Sequence, residues 1–198
     1  MNGGLSQTAA RFEQVVICSG HMIDAPDRKE PRFPATKAEA VREQIGHQLD
    51  QWKINGNALA ICGGASGADT LFGEEALKRG ARLRLLLAQN LEAFVRDSVE
   101  PAGEEWVRRF RALASNAQVD TLTPAASKDE QERSIYERTN LWIIETARRA
   151  AGEGASLYAL LVWDEKPTGD GPGGTSDFER RVCDLGGEVA IINPTAIP

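Results

Sequence analysis

Short runs of apolar residues alternate along the chain with longer segments whose apolar positions recur at helical spacing. The short runs show no alternation with polar residues, which is typical of strands that are buried on both faces of a parallel sheet. Most of them end at glycine, serine or asparagine, residues that favour turns. The pattern predicts five strands, at residues 14–18, 58–62, 83–88, 157–163 and 189–192.

The segments between these strands carry start signals for helices. Four of them show the S/T-x-x-D/E pattern of a capping box, in which two side chains satisfy backbone N–H groups at a helix start. These patterns begin at Thr36, Ser66, Ser127 and Ser176. Residues 91–152 are predicted to hold two or three helices, and the break at 116–127 is interpreted as a surface loop.

The alternation of strands and helices predicts an α/β fold, with a parallel sheet of about five or more strands and helices on both faces. The length of 198 residues suits one domain, expected to span residues 1–198 with its core in 13–193. With 41% apolar and 26% charged residues, the chain has the composition of a globular protein.

Charge and cysteine usage narrow the class of protein. The formal net charge of -6 argues against an extended nucleic-acid surface, which needs an excess of cations. No apolar run is long enough to cross a bilayer, and the first residues show no signal-peptide pattern. Cys18, Cys62 and Cys183 form no C-x-x-C pair, which fits a reducing compartment and gives no metal signature. A cytoplasmic protein is expected.

Candidate chemistry lies in the loops after the strands, because ligands of open parallel sheets bind beyond the carboxyl ends of the strands. The first loop contains Ser19, Gly20 and His21, and the small pair would let a ligand approach the backbone. His21 could donate a hydrogen bond to a phosphate or a ribose hydroxyl. The alternative is a loop histidine that is satisfied within the protein.

The loop after the second strand is a glycine-rich strand-to-helix turn. Such turns direct free backbone N–H groups, at the positive end of a helix dipole, toward an anion. The turn is neither a Walker A loop nor a dehydrogenase G-x-G-x-x-G fingerprint. Asp69 is interpreted either as the capping partner of Ser66 or as an acceptor for sugar hydroxyls. The candidate residues of this turn are Gly63, Gly64, Ala65, Ser66, Gly67 and Asp69.

A second glycine-rich helix start follows the fourth predicted strand and supplies Gly173, Gly174, Thr175 and Asp177. Two such turns from different strands of one sheet are expected to converge on one crevice, where they would bind a nucleotide or ribose phosphate. Trp163, at the end of the strand, is a candidate for stacking on a base, with core packing as the alternative.

The long helix before this strand carries two further candidates, Arg138 and Asn140. Arg138 would neutralise a phosphate through its planar fork of donors, unless it forms a surface ion pair. Asn140 lies in the middle of the helix despite its low helix propensity, so it is a candidate hydrogen-bonding residue.

The segments 63–69 and 173–175 together resemble the SLOG superfamily. That group includes the Lonely Guy phosphoribohydrolases, DprA, molybdenum-cofactor carrier proteins, and sensor domains of TRPM channels and bacterial defence proteins. The resemblance covers nearly the whole chain and implies a Rossmann-like fold whose pocket holds a nucleotide or nucleotide-derived ligand. It implies no further cofactor and no metal.

One departure from the superfamily bears on catalysis. The phosphoribohydrolases carry a P-G-G-x-G-T-x-x-E signature, and aligning Gly174 and Thr175 on its G-T pair places Phe178 at the catalytic glutamate. The resemblance therefore favours a sensor of ADP-ribose-like, cyclic-nucleotide or NAD-derived ligands, acting in a homo-oligomer or with an effector domain in signalling or antiviral defence. A nucleotide N-glycosidic hydrolase and a molybdenum-cofactor carrier are the alternatives.

Overall fold

A computed structural model describes residues 12–26, 28–125, 127–166 and 174–198. Its strands form one six-stranded sheet in which every neighbouring pair is parallel. The strands are β1 (Phe12–Gly20), β2 (Ala58–Cys62), β3 (Arg82–Leu87), β4 (Gln118–Thr121), β5 (Ala151–Val162) and β6 (Glu188–Ile192). The predicted fold class is confirmed.

Helices cover both faces of this sheet. They are α1 (Ala38–Gln51), α2 (Ala68–Lys78), α3 (Leu91–Ser98), α4 (Glu104–Ala114), α5 (Lys128–Glu132), α6 (Ile135–Ala150) and α7 (Thr175–Asp184). Apolar residues of α1, α2 and α4 pack in one core cluster, and those of α6 and α7 pack in another on the opposite face. The continuous apolar runs of β1 and β2 follow from this double burial.

The order of the strands determines where a ligand crevice can form. Across the sheet the order is β4-β3-β2-β1-β5-β6, so the chain proceeds outward from β1 to β4 and then crosses to the other side with β5. The reversal lies between β1 and β5, whose residues pair in register up to Gly20 and Val162. Such a switch point is the expected ligand crevice of a Rossmann-like fold.

Two predictions about the segment 91–152 are wrong. The break interpreted as a surface loop contains β4, a four-residue edge strand that pairs with β3. This strand is mostly exposed and lacks the apolar run by which the others were found. The segment was also predicted to hold two or three helices, but its described residues form four, α3 to α6, and the chain enters β5 directly at Ala151.

Of the four predicted capping boxes, the one at Ser127 is present, with both hydrogen bonds to and from Glu130. The other three are wrong. Helices α2 and α7 have Gly67 and Gly174 as their N-caps. Helix α1 begins at Ala38, directly after a short 3₁₀ turn. None of these three helix starts has a side-chain cap from its N-cap residue. In these three helices the serine or threonine that was predicted to be the N-cap lies one or two positions away from the actual N-cap.

Candidate functional site

A cavity of about 460 Å³ lies over the carboxyl ends of the central strands, at the switch point between β1 and β5. Its walls come from the loop after β1, the turn after β2, the segment around α3, one side of α6 and the first residues of α7. The predicted site residues that line it are Ser19, Gly20, His21, Gly63, Ala65, Asp69, Asn140, Gly174 and Thr175. The two glycine-rich segments therefore meet at one cavity.

Six other predicted site residues are described but do not line this cavity: Gly64, Ser66, Gly67, Arg138, Trp163 and Asp177. Gly173 lies outside the described residues. Trp163 is 4% exposed and packs in the core cluster under α6 and α7, so the core alternative holds rather than base stacking. Arg138 donates a hydrogen bond of 2.6 Å to the carbonyl of Thr123.

Asp177 is engaged by the arginines of its own helix. Its carboxylate forms ion pairs with Arg180 and, at 2.7 Å, with Arg181. Burial raises the pKa of Asp177. The hydrogen bonds from Arg181 and Arg180 together lower the pKa by more than burial raises it, so that it lies below its ordinary value. Asp177 is thus a charged residue of an ion-pair cluster beside the cavity.

Two of the glycines allow the protein's own backbone segments to approach each other. A Cβ on Gly20 would lie 2.5 Å from the carbonyl oxygen of Val162. Gly67 has a φ of +92°, and a Cβ there would lie 2.8 Å from the carbonyl oxygen of His21. These contacts bind β1 to β5 and the loop after β1 to the start of α2. Close packing of the chain, rather than close approach of a ligand, explains these two residues.

The first glycine turn already contains a carboxyl group of the protein. Asp69 is 9% exposed, and its Oδ2 accepts a hydrogen bond of 3.2 Å from the N–H of Ala65. Burial raises the pKa of Asp69 to about 7, although the amides of Ala65, Gly64 and Gly63 lower it. Ser66 plays no part in capping, and its buried hydroxyl has no hydrogen-bond partner among the described residues.

The N-terminus of α2 is likewise occupied by the chain. The N–H of Ala68 donates to the carbonyl of His21 at 3.1 Å, and the N–H of Thr70 donates to the carbonyl of Ala65 at 3.2 Å. The expectation of free amides in this turn is therefore wrong at these positions. The motif supplies a wall of the cavity that carries a carboxyl group.

The N-terminus of α7 differs from that of α2. Its N-cap, Gly174, brings no side-chain acceptor to the first-turn amides, and both Gly174 and Thr175 line the cavity. With ten residues, α7 is long enough to direct a helix dipole at this point. The second glycine-rich start thus retains the arrangement that favours an anion.

Two arginines that the sequence reasoning missed also line the cavity, Arg28 and Arg32 in the loop after β1. Asp24 organises this loop, because its Oδ2 accepts hydrogen bonds of 2.9 Å from the N–H groups of Arg32 and Phe33. Its Oδ1 lies 3.3 Å from Arg28 Nε. The two guanidinium groups of the cavity therefore come from a loop that has no periodic signal in the sequence.

A third missed residue, Asp164, joins the two strands of the switch point. Asp164 Oδ1 lies 3.0 Å from His21 Nε2 and 3.5 Å from Arg32 Nη2. Burial raises the pKa of Asp164. The hydrogen bond with His21 and the charge of Arg32 together lower the pKa by more than burial raises it, so that it lies below its ordinary value. His21 is thereby oriented at the cavity by a carboxylate. The sequence signal for Asp164 was its position directly after the apolar run at 157–163.

The described residues contain no group of three or more His, Cys, Asp or Glu side chains that could hold a metal ion. Among the same residues, no helix has the length and apolar character needed to cross a membrane.

No family model matches the chain, and no curated protein matches it significantly. Solved structures with a similar arrangement include TM1055, an X-ray structure from the Northeast Structural Genomics Consortium, at 13% identity and a TM-score of 0.44. That match covers 89% of this chain and 72% of the other. A second is DNA processing protein A (DprA) from Streptococcus pneumoniae, at 16% identity and a TM-score of 0.40.

The DprA match covers 90% of this chain but only 58% of the DprA chain, which is less than two thirds of its length.

Proposed function

We propose that this protein binds a nucleotide-derived ligand in the cavity at the switch point. One observation carries the proposal: the first residues of α7 and two arginines of the loop after β1 line the same cavity of about 460 Å³. That volume is within the range of small-molecule sites, roughly 300–1,000 Å³. The donors on these walls suit a phosphate group, and the remaining walls suit a sugar and a base.

The phosphate is assigned to the α7 side of the cavity. Gly174, the N-cap of α7, supplies no side-chain hydrogen bond to the first-turn amides, and Gly174 and Thr175 line the cavity. A helix N-terminus favours an anion through its dipole and its N–H groups. Arg28 and Arg32, which pair with Asp24 and Asp164, add guanidinium groups of the kind that binds phosphate oxygens in a bidentate manner.

The base is assigned to the α6 side. Tyr136 lines the cavity and is 63% exposed, so its ring is accessible at the mouth. Ile143 of the same helix and Phe94 of α3 provide apolar surface deeper in the cavity. An exposed aromatic ring beside an apolar wall is suited to stacking on a nucleobase.

The arrangement of α7 supports binding without hydrolysis. Phe178, which stands where the phosphoribohydrolase signature has its glutamate, is 1% exposed and belongs to the core. Asp177 is paired with arginines, and neither it nor Glu179 lines the cavity. The carboxylates of α7 are therefore not presented to a ligand, and we favour a sensor that reports occupancy to a partner or a second copy.

Isothermal titration calorimetry against ADP-ribose, NAD, cyclic AMP and AMP tests the proposal. We expect saturable binding of at least one ligand, weakened about tenfold or more in Arg28→Gln and Arg32→Gln because a charge-assisted hydrogen bond contributes roughly 1.5–3 kcal/mol. Arg149→Gln is the matched control, since Arg149 pairs with Glu145 on the surface of α6. Thermal unfolding verifies that each variant is folded.

Two results would overturn this proposal. Absence of binding for all four ligands at millimolar concentration would remove it, and so would equal loss of affinity in Arg149→Gln. Chromatography of the same mixtures tests the absence of hydrolysis. Release of a free base that is abolished by Asp177→Asn would show that the protein is a hydrolase.

A further inference from the structure

The carboxylate of Asp69 divides the cavity into chemically different ends. It lines the cavity from the turn after β2, and its Oδ2 accepts a hydrogen bond from the N–H of Ala65. It also lies against the turn so closely that a Cβ on Gly63 would be 2.9 Å from Oδ2. The carboxylate therefore takes the place beside the glycine turn where a phosphate would otherwise bind.

This placement makes the β2 end of the cavity unsuitable for an anion. A phosphate there would meet a carboxylate at short range, and like charges in a poorly hydrated site repel each other strongly. The nearby amides of Ala68 and Thr70 are already used by carbonyls of the chain. What this end offers a ligand is an acceptor, which recognises hydroxyl or amine donors.

The two ends of the cavity can be reached by one ligand. Asp69, in the turn after β2, and Gly174 and Thr175, at the start of α7, line the same cavity. In a ribonucleotide whose phosphate lies at α7, the vicinal hydroxyls of the sugar are the donors available to the carboxylate.

We propose that Asp69 is a specificity-determining residue that accepts hydrogen bonds from the ribose hydroxyls of the ligand, so that the cavity selects ribonucleotides over deoxyribonucleotides. This inference rests on the proposed function, because it presumes a nucleotide in the cavity. It reverses the usual role of a glycine-rich strand-to-helix turn. Here the turn holds the carboxylate that reads the sugar, and the second helix start holds the phosphate.

Several ionisable groups surround Asp69. Cys18 from β1 and Cys62 from β2 are buried beside it, and burial raises the pKa of both thiols well above the ordinary value. His21 in the loop after β1 and Asp97 of α3 line the same cavity. A variant that changes Asp69 alone leaves all four groups in place, so the difference between it and the wild type isolates the carboxylate.

The test compares AMP with 2′-deoxy-AMP and 3′-deoxy-AMP by calorimetry, with ribose 5-phosphate and its 2-deoxy form as a base-free pair. We expect the wild type to prefer the ribo form by roughly 10- to 100-fold, the range for a hydrogen bond to a charged group. In Asp69→Asn this preference should fall to a few-fold. Asp50→Asn is the matched control, since Asp50 pairs with Arg79 and does not line the cavity, and the preference of this variant should equal that of the wild type.

A second measurement needs no variant. The ribo-to-deoxy preference of the wild type should increase between pH 6 and pH 8, because the pKa of Asp69 is about 7 and only the ionised form accepts from both hydroxyls. The preference of Asp69→Asn should not change over this range. The ratio of the affinities of two ligands for one protein is insensitive to a general loss of stability.

The outcomes separate this inference from the proposed function. Binding of AMP with an equal ribo preference in wild type and Asp69→Asn overturns the role of Asp69 and leaves the proposed function standing. Binding of 2′-deoxy-AMP and 3′-deoxy-AMP as tight as that of AMP to the wild type also overturns it. Absence of binding by every probe contradicts both.

Discussion

The buried carboxylate of Asp69 should make the stability of the ligand-free protein depend on pH in an unusual direction. Burial raises its pKa from 3.8 to about 7. In the unfolded chain the group ionises near the ordinary value, whereas the folded protein retains the proton up to about pH 7. Stability from this group is therefore complete below about pH 4 and is lost as the pH rises through the folded pKa.

The size of this effect follows from the shift. Three pH units, at about 1.4 kcal/mol per unit, correspond to a loss of about 4 kcal/mol in the free energy of unfolding between pH 4 and pH 8. Asn cannot ionise, so the Asp69→Asn variant should not undergo this loss. Relative to the wild type, the variant should become more stable by about 4 kcal/mol as the pH rises over this range.

Urea unfolding of both proteins at intervals from pH 4 to pH 8 measures the difference directly. The prediction concerns how the difference in the free energy of unfolding between the two proteins changes with pH. A cost of the amide side chain in Asp69→Asn that is the same at every pH does not affect this change. Carboxylates with lowered pKa, such as Asp164 and Asp177, have the opposite pH dependence, and they cancel as well because both proteins contain them. A difference that stays constant from pH 4 to pH 8 would refute the reasoning.

Three further predictions concern residues around the site. Gly20→Ala should destabilise the protein by about 1–3 kcal/mol or more, measured by thermal unfolding, because its Cβ would lie 2.5 Å from the carbonyl oxygen of Val162; an unchanged melting temperature would contradict this. Asp164→Asn should lower the free energy of unfolding at pH 7 but not near pH 2, because the lowered pKa of Asp164 gives stability that is lost as pH falls through the folded value; equal destabilisation at both pH values in urea titrations would speak against it. Phe178→Glu should unfold the protein, as seen by circular dichroism, rather than create a hydrolase, because the side chain is 1% exposed in the core; a folded variant that releases a base from AMP would show the opposite.

The buried strands were predictable because burial on both faces leaves a continuous apolar signature. The runs at 14–18 and 58–62 fall within β1 and β2 for this reason. The edge strand β4 has no such signature, since an exposed edge imposes no apolar requirement. The strands whose residues must be apolar because they lie in the core were therefore predicted, and the strand that is exposed to solvent was not.

The capping patterns show a limit of local motifs. Ser66 and Asp69 have the residue types and spacing of a capping box, yet Gly67, with its positive φ, becomes the N-cap of α2. Asp69 then turns back to the amide of Ala65 instead of pairing with Ser66. The packing of Gly67 against the loop after β1 decides between these arrangements, and such long-range contacts cannot be read from four residues.

The site was predictable in outline for a topological reason. Parallel strands bring their carboxyl ends to one edge, which is why the loop after β1, the turn after β2 and the start of α7 line one cavity. Arg28 and Arg32 could not be found in this way. Their positions depend on hydrogen bonds from Asp24 across the loop, which leave no pattern in the sequence.

The central claim is that the start of α7 binds the phosphate of a ribonucleotide while Asp69 faces its sugar. A crystal structure of the protein with AMP tests it most directly. We predict a phosphate within hydrogen-bond distance of the first-turn amides of α7, and ribose hydroxyls on the carboxylate of Asp69. A phosphate on the turn after β2, or a nucleotide bound outside this cavity, would contradict the account.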